Sequence, residues 1–321
     1  SSPVFPQLSH LLLWCVTPLA AWITKIASII SDFSVLTFTT GAKSFFLVAI
    51  VISAGYFFNR KVVITVFLLL ISISWLLKFP GHDWQIANCD VGQGDAMAIN
   101  LGDHRAILID TGPDPIAVDR CLHQLGVKTI ELLILTHIHA DHVGGVSGAT
   151  EKRTVVTQWY GNVRAGTRAT LASNRGQVTV DVLWPQGQWA DEQMSDPNNS
   201  SIAVMVRTPD FSLFAGGDME PSTQSQIASQ LPEVDIYKVC HHGSAYQDQL
   251  FTRALSPQVA MISVGAGNSY GHPAPATLEL LAQAGAKVLR TDRDGAIAIS
   301  ARNHRLKVRT SKSKLTFLRW E

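Results

Sequence analysis

The sequence predicts an α/β fold, two sheets packed together with helices outside, preceded by transmembrane helices. Two observations in the last two hundred and forty residues carry the first part. Short β-type runs punctuated by turn residues follow Pro80–Gly81, and they come in groups with helices inserted between them. A third observation carries the second part. The first eighty residues hold two uncharged runs, 44–58 (SFFLVAIVISAGYFF) and 62–77 (VVITVFLLLISISWLL).

Each run is a little short of the ~20 residues that span a bilayer, but Lys43 and Lys78 can extend from its ends. With Asn59–Lys61 between them they read as a hairpin. Arg60 and Lys61 favour a cytoplasmic turn, which places residues from about 82 onward outside. Residues 8–31, broken at Thr17–Pro18, read as a further embedded or interfacial helix. Position 1 is serine and no methionine precedes Met97, so the chain reads as the C-terminal piece of a longer one. The expected division is a membrane region over 1–80 and a separate α/β domain over 83–321.

In the second region WQIANCDV and DAMAINL flank GQG, RAILIDTG ends on a turn, and residues 115–125 read as a helix. TIELLILT is a fully apolar strand. TVVTQWY, VTVDVLWP, SIAVMVRTP and FSLFAGGD follow as strands, then a helix over 221–231 opened by Pro221. VDIYKVC and PQVAMISVG are strands, PATLELLAQAG is a helix stopped by Gly285, and KVLRTD and GAIAIS close the series.

A net charge of +1 gives no global basic field of the kind that marks nucleic-acid binding. Cys15, Cys89, Cys121 and Cys240 form no C-x-x-C pair, which argues against a structural zinc knuckle. They read as buried free thiols, with no disulfide assignable.

The chemistry gathers in LTHIHADHVGG, Leu135 to Gly145. His137 and His139, two apart at the end of an apolar strand, project to one side. Asp141 and His142 sit at the turn into a helix near Val143. Three imidazoles and a carboxylate suit zinc or another transition divalent ion, and are too nitrogen-rich for calcium or magnesium. Further candidates follow later strands: Asp218 after FAGG, His241 and His242 after IYKVC, and His272 in SYGHP.

This pattern, with Asp110 in IDTG and Asp218 in GGD, resembles the metallo-β-lactamase superfamily. DVGQGDA, NNSS, VCHHGS and GHP narrow the resemblance to the C-terminal domain of ComEC-type DNA-internalisation proteins, and the preceding hairpin resembles the end of their membrane domain. The resemblance implies a metallo-β-lactamase-like αββα sandwich with two divalent metal ions at one edge. His137 and His139 would bind the first, Asp141 and His142 the second, and Asp218 would bridge. His242 would complete the second site, leaving His241 to orient ligands or meet a phosphate, and Asp110 would orient a ligand histidine from behind. Asp141, His241, Asn199, Ser201 and His272 make up the candidate catalytic set. One departure stands out: no histidine lies between His142 and Asp218 to give the first metal a third imidazole. That favours manganese there beside zinc.

Two bridged ions acidify water and clamp a phosphoryl group, which suits phosphodiester hydrolysis. The resemblance adds the substrate and setting. DNA, single-stranded or being unwound, would be delivered by competence-machinery proteins to the cytoplasmic membrane, where the strand not imported is degraded. Lys152, Arg153, Arg164, Arg168, Arg175, Arg290, Arg293 and the basic C-terminus could track a phosphate backbone, or serve as ordinary solvated edges. A membrane-anchored hydrolase of a small phosphoester, and a DNA-binding transport domain without catalysis, remain open as alternatives.

Overall fold

The computed structural model describes residues 79–161, 163–187 and 196–312, with scattered positions 17, 21, 22, 25, 61, 64–66, 68, 69 and 72. The chain divides into two compact units, Ser1–Lys78 and Phe79–Glu321. In the first unit the described residues are helical. Among the described residues no helix is long and apolar enough to cross a membrane. The expected hairpin and the 8–31 segment lie largely outside the described residues.

The second unit begins with β1 (Ile86–Asn88), β2 (Met97–Gly102) and β3 (Arg105–Ile109). Helix α1 (Pro115–Gln124) then crosses over to β4 (Thr129–Ile134). Parallel neighbours such as β3 and β4 need such a crossover. Asp114 caps α1 by accepting from the Ile116 amide at 2.8 Å, and Pro115 occupies the first turn, where no amide donor is needed. Short helices α2 (Ala140–Val143) and α3 (Val146–Thr150) lead to β5 (Thr154–Trp159).

Strands β6 (Arg168–Ser173), β7 (Gly176–Trp184), β8 (Ala203–Arg207) and β9 (Ser212–Ala215) follow, then α4 (Pro221–Ile227) and β10 (Ile236–Lys238). Next come α5 (Gln249–Leu255), β11 (Val259–Ile262), α6 (Pro275–Gln283), β12 (Lys287–Arg290) and α7 (Thr291–Asp294). The hairpin β13 (Ile297–Arg302) and β14 (Arg305–Thr310) returns to the first sheet.

Among the described residues the strands form two seven-stranded sheets, ordered β14-β13-β1-β2-β3-β4-β5 and β12-β11-β10-β9-β8-β7-β6. The segments β3–β5 and β9–β12 are parallel, so their carboxyl ends lie on one edge of each sheet. Side chains alternate across each strand. Ile107 and Ile109 join Ile134, Val204, Ile236 and Met261 between the sheets. Leu108 and Leu133 face outward beneath Val118 and Leu122 of α1. On the other outer face Phe214 and Tyr237 of the sheet pack against Phe251 of α5 in the second helical layer, with Phe214 and Phe251 edge to face at 5.4 Å. Helix, sheet, sheet, helix is the layer order expected from the sequence. Strands buried on both faces read as continuous apolar runs, which is why β3, β4 and β11 stand out in the sequence. Truncating Phe251 to alanine would cost about 3–5 kcal/mol.

The helix expected over 221–231 turns into a 3₁₀ segment after Ile227. Strand β6, alternately exposed, and helix α5, capped by Asp248, were not anticipated. The cysteine expectation needs a correction: Cys89 and Cys121 form a disulfide that ties the end of β1 to α1, while Cys240 is free and buried. Closing a loop of 32 residues stabilises by about 3–4 kcal/mol in the chain-entropy account.

Candidate metal centre

The apolar run of β4 ends at Ile134, and the polar residues that follow are held rather than solvated. Asp110, at the end of β3 with φ of 58°, accepts from the Thr136 amide at 2.7 Å and the Thr136 hydroxyl at 2.8 Å. Its Oδ2 lies 2.8 Å from Nδ1 of His142. The imidazole therefore presents Nε2 to the opposite side. A carboxylate behind a ligand histidine fixes its tautomer and raises its basicity.

Opposite stands Asp218, on the turn after β9. Its Oδ1 is 3.2 Å from His142 Nε2 and its Oδ2 is 3.6 Å from His242 Nε2, 3.8 Å from His241 Nε2 and 3.9 Å from His137 Nε2. His242 Nε2 also lies 3.1 Å from Asp141 Oδ2. Asp141, His142, Asp218 and His242 thus each aim a ligand atom into one small volume. His137 Nε2 meets His139 Nδ1 at 3.1 Å, and the His137 ring lies 4.1 Å from that of His142.

His241 and His242 both adopt left-handed backbone, φ 49° and 51°. Such conformations cost of order 1–3 kcal/mol for residues other than glycine and gather at functional sites. Here they turn two adjacent imidazoles in different directions. His242 is buried and aimed at Asp141, whereas His241 is half-buried beside Glu220 and edge-on to His272.

Whether the residues suit a cation follows from buried atoms left over. Asp218 Oδ1 and His142 Nε2 are buried, face each other, and have no hydrogen-bond partner. Once His142 gives up its proton both can offer a lone pair to a shared divalent ion, so the set fits a metal. Asp95, Asp110 and His142 also lie close together. Lys238 Nζ already sits 2.7 Å from both Asp95 oxygens, so a cation fills that place.

Charges in the metal-free site are strongly displaced. Burial opposes the charge on His142, yet Asp218 and Asp110 lift it well above the ordinary histidine value. Burial likewise opposes His242, and Asp218 and Asp95 lift it to about 10. His137 goes the other way: burial, aided by the neighbouring His142 charge, pushes it down to about 3. Burial favours a neutral Asp218, but His142 and His242 hold it well below the usual carboxylate range.

The candidate catalytic residues separate on this map. Asp141, His241 and His272 stand at the cluster. Ser201 lies behind it, its hydroxyl 3.3 Å from His137 Nδ1 and accepting from the Asp218 amide at 3.2 Å. Asn199 does not belong to the cluster. Its Oδ1 accepts from the Glu220 amide and from the Ser222 and Thr223 hydroxyls at the start of α4, and its Nδ2 donates to Asp196.

Two site residues escaped sequence reading. Asp95 carries Lys238 on its carboxylate, and its Oδ1 lies 3.2 Å from His242 Nδ1. Its amide donates to the Asp141 carbonyl at 3.0 Å. Gly94 makes that approach possible, because a Cβ there would collide with the Asp141 carbonyl oxygen. The signal was DVGQGDA itself, whose final acid looks like an ordinary turn residue. Several basic residues expected to track a backbone are paired instead: Lys152 and Arg153 with Asp119, Arg168 with Asp181, Arg175 with Asp210, and Arg290 with Asp292.

The model of the metallo-beta-lactamase superfamily matches residues 89–249, half of the chain. ComE operon protein 3 of Bacillus subtilis (strain 168) is 29% identical over 252 residues, covering 67% of this chain and 32% of that protein. Competence protein ComA of Neisseria gonorrhoeae is 26% identical over 234 residues, covering 68% and 32%. The chain therefore spans about a third of the length of these curated relatives. Among solved structures, Zn(2+)-bound PqqB from Methylobacterium extorquens matches at 10% identity and a TM-score of 0.35, over 61% of this chain and 84% of that one. The chain belongs to the metallo-beta-lactamase superfamily, with its relatives among ComEC-type competence proteins.

Proposed function

We propose that the chain is part of a DNA-uptake protein of the cytoplasmic membrane, whose hydrolase domain cleaves phosphodiester bonds in the strand that is not imported. The observation that carries this reading is the convergence of His142, His242 and Asp141 on Asp218, with His137 and His139 close by. Two divalent ions, zinc or manganese, would be held there, Asp141, His142 and His242 on one side, His137 and His139 on the other, and Asp218 between. Bound ions supply charge stabilisation for a phosphoryl group and acidify water.

The chain's own residues set up the rest. Asp110 and Asp95 hold His142 and His242 with Nε2 inward. His241 and His272 stand at the half-buried rim, each with a buried Nδ1 that has no hydrogen-bond partner. Burial, with His241 nearby, keeps His272 below its ordinary value and so neutral near pH 7. The Cys89–Cys121 disulfide supports a position on the extracytoplasmic side, since such bonds persist in oxidising compartments.

The test is a labelled single-stranded oligonucleotide with the zinc- or manganese-loaded chain, compared with His137→Ala and Asp141→Ala. Cleavage by wild type alone is expected, and equal cleavage by all three would mark a contaminant. A second reading, DNA binding without catalysis, draws support from the missing histidine between His142 and Asp218. DNA binding by the metal-loaded chain with no cleavage would select it.

A further inference from the structure

Beyond the metal cluster, the loop between β11 and α6 carries an exposed tyrosine that no part of the site has absorbed. Tyr270 is 71% exposed. A single exposed apolar ring is ordinary on a protein surface. This ring is set apart by what lies beneath it. It stacks on His272 at 5.8 Å between centroids and 29° between planes. His272 stacks in turn on His242 at 6.4 Å and 26°. Three rings in near-parallel succession run from the surface to a residue of the metal cluster. Both spacings fall within the 4.5–7 Å of favourable aromatic pairs.

The loop is also held. Asn268 Nδ2 donates to the Gly265 carbonyl at 3.1 Å and the His272 carbonyl at 2.8 Å, and its Oδ1 accepts from the His272 amide at 3.1 Å. Gly265 N donates to Gln93 Oε1 at 3.1 Å, which ties the loop to DVGQGDA. One side chain thus clamps the backbone on both sides of Tyr270. A ring fixed in place loses little freedom when something stacks on it.

We infer that Tyr270 is a stacking platform for an unpaired nucleobase next to the metal cluster, so that this site takes single-stranded DNA rather than duplex or a base-free phosphoester. The inference rests on the phosphodiester reading for its substrate class. The outer face of Tyr270 continues the ladder by one ring, and a flat base is the group that extends such a ladder. Inside a duplex both faces of a base are already stacked, so apart from its two ends a duplex offers the platform no free face. Stacking of a base on an aromatic side chain accepts any base, as a sequence-independent nuclease requires.

The experiment is fluorescence anisotropy on the full 321-residue chain without added metal. The probes are a labelled oligodeoxythymidylate, an abasic oligodeoxynucleotide of equal length, and a duplex. Wild type should bind the oligodeoxythymidylate about tenfold more tightly than either of the others. Tyr270→Ala should remove that preference, and Tyr270→Phe, which keeps the ring, should retain it. No preference in wild type, a preference that survives Tyr270→Ala, or its loss in Tyr270→Phe as well would each overturn the platform. Cleavage by the metal-loaded chain is read separately. A chain that shows the preference yet cuts neither single strand retains the platform and loses the hydrolytic reading.

Discussion

The two halves of the histidine cluster are built differently. On one side His142 and His242 are buried, and each has a carboxylate behind it, Asp110 and Asp95. On the other, His137 is buried against the hydroxyls of Thr136 and Ser201, and His139 is exposed. Carboxylate backing raises ligand basicity, and a hydroxyl does so far less. The first pair carries its protons at neutral pH and His137 does not. Similar imidazoles a few ångströms apart are tuned in opposite directions: Asp218 in front, with Asp110 and Asp95 behind, raises His142 and His242, whereas burial and the His142 charge lower His137. The buried half is the expected tight site, and the His137 half the weaker one.

The largest effect should come from removing the residue both halves share. Asp218→Ala should weaken metal retention on both sides by more than about 100-fold, since changing only an outer partner costs 10–100-fold. Metal content after dialysis measures it, and full retention would place the site elsewhere. Lys238→Met strips the counter-charge from Asp95 behind His242. Breaking a buried pair from one side costs about 3–5 kcal/mol. Denaturant melts of the full chain should show this, with much of the loss recovered in the Asp95→Asn/Lys238→Met double variant.

A smaller change is expected from Asp110→Asn, about 10–100-fold in metal affinity and confined mainly to the buried half. Calorimetric titration should show one of two steps moving; equal movement of both would erase the distinction between the halves. The last effect is a slope. Because His242 holds its proton up to about 10 and His142 is also raised, metal binding on that side must displace protons at pH 7. Affinity there should rise about tenfold per pH unit for each proton displaced, and fall on acidification. His137, pushed to about 3, displaces none over the same range. The two steps should draw apart as pH rises from 6 to 8, and parallel movement would contradict the assigned charges.

Legibility followed sequence distance. His137, His139, Asp141 and His142 lie within six positions at the end of an apolar strand, so local pattern sufficed to pick them out. Asp218 and His242 were readable because both follow strands whose apolar runs are plain. Asn199 stands apart from the histidines: a polar run beside a strand looks the same in sequence whichever way its side chains turn, and here the Asn199 Oδ1 accepts from Glu220, Ser222 and Thr223 at the start of α4. Lys238 closes the strand IYK and would pass for a solvated edge residue, yet it is buried against Asp95, 143 positions away. Cys89 and Cys121 carry no spacing rule that pairs them.

By itself the sequence determined most of the strand and helix order, the two-sheet architecture, and the residue types able to hold a cation. These depend on short-range periodicity and on side-chain chemistry, which each segment carries wherever it is placed. Tertiary structure alone decided which carboxylate stands behind which imidazole, which arginines are already neutralised, which cysteines join, and that Tyr270 lies over His272. Most of those contacts join separate segments, and even Tyr270 over His272 depends on how the Asn268 side chain folds the loop that carries both. Their energies depend on burial and distance, and neither exists until the two sheets have closed on each other.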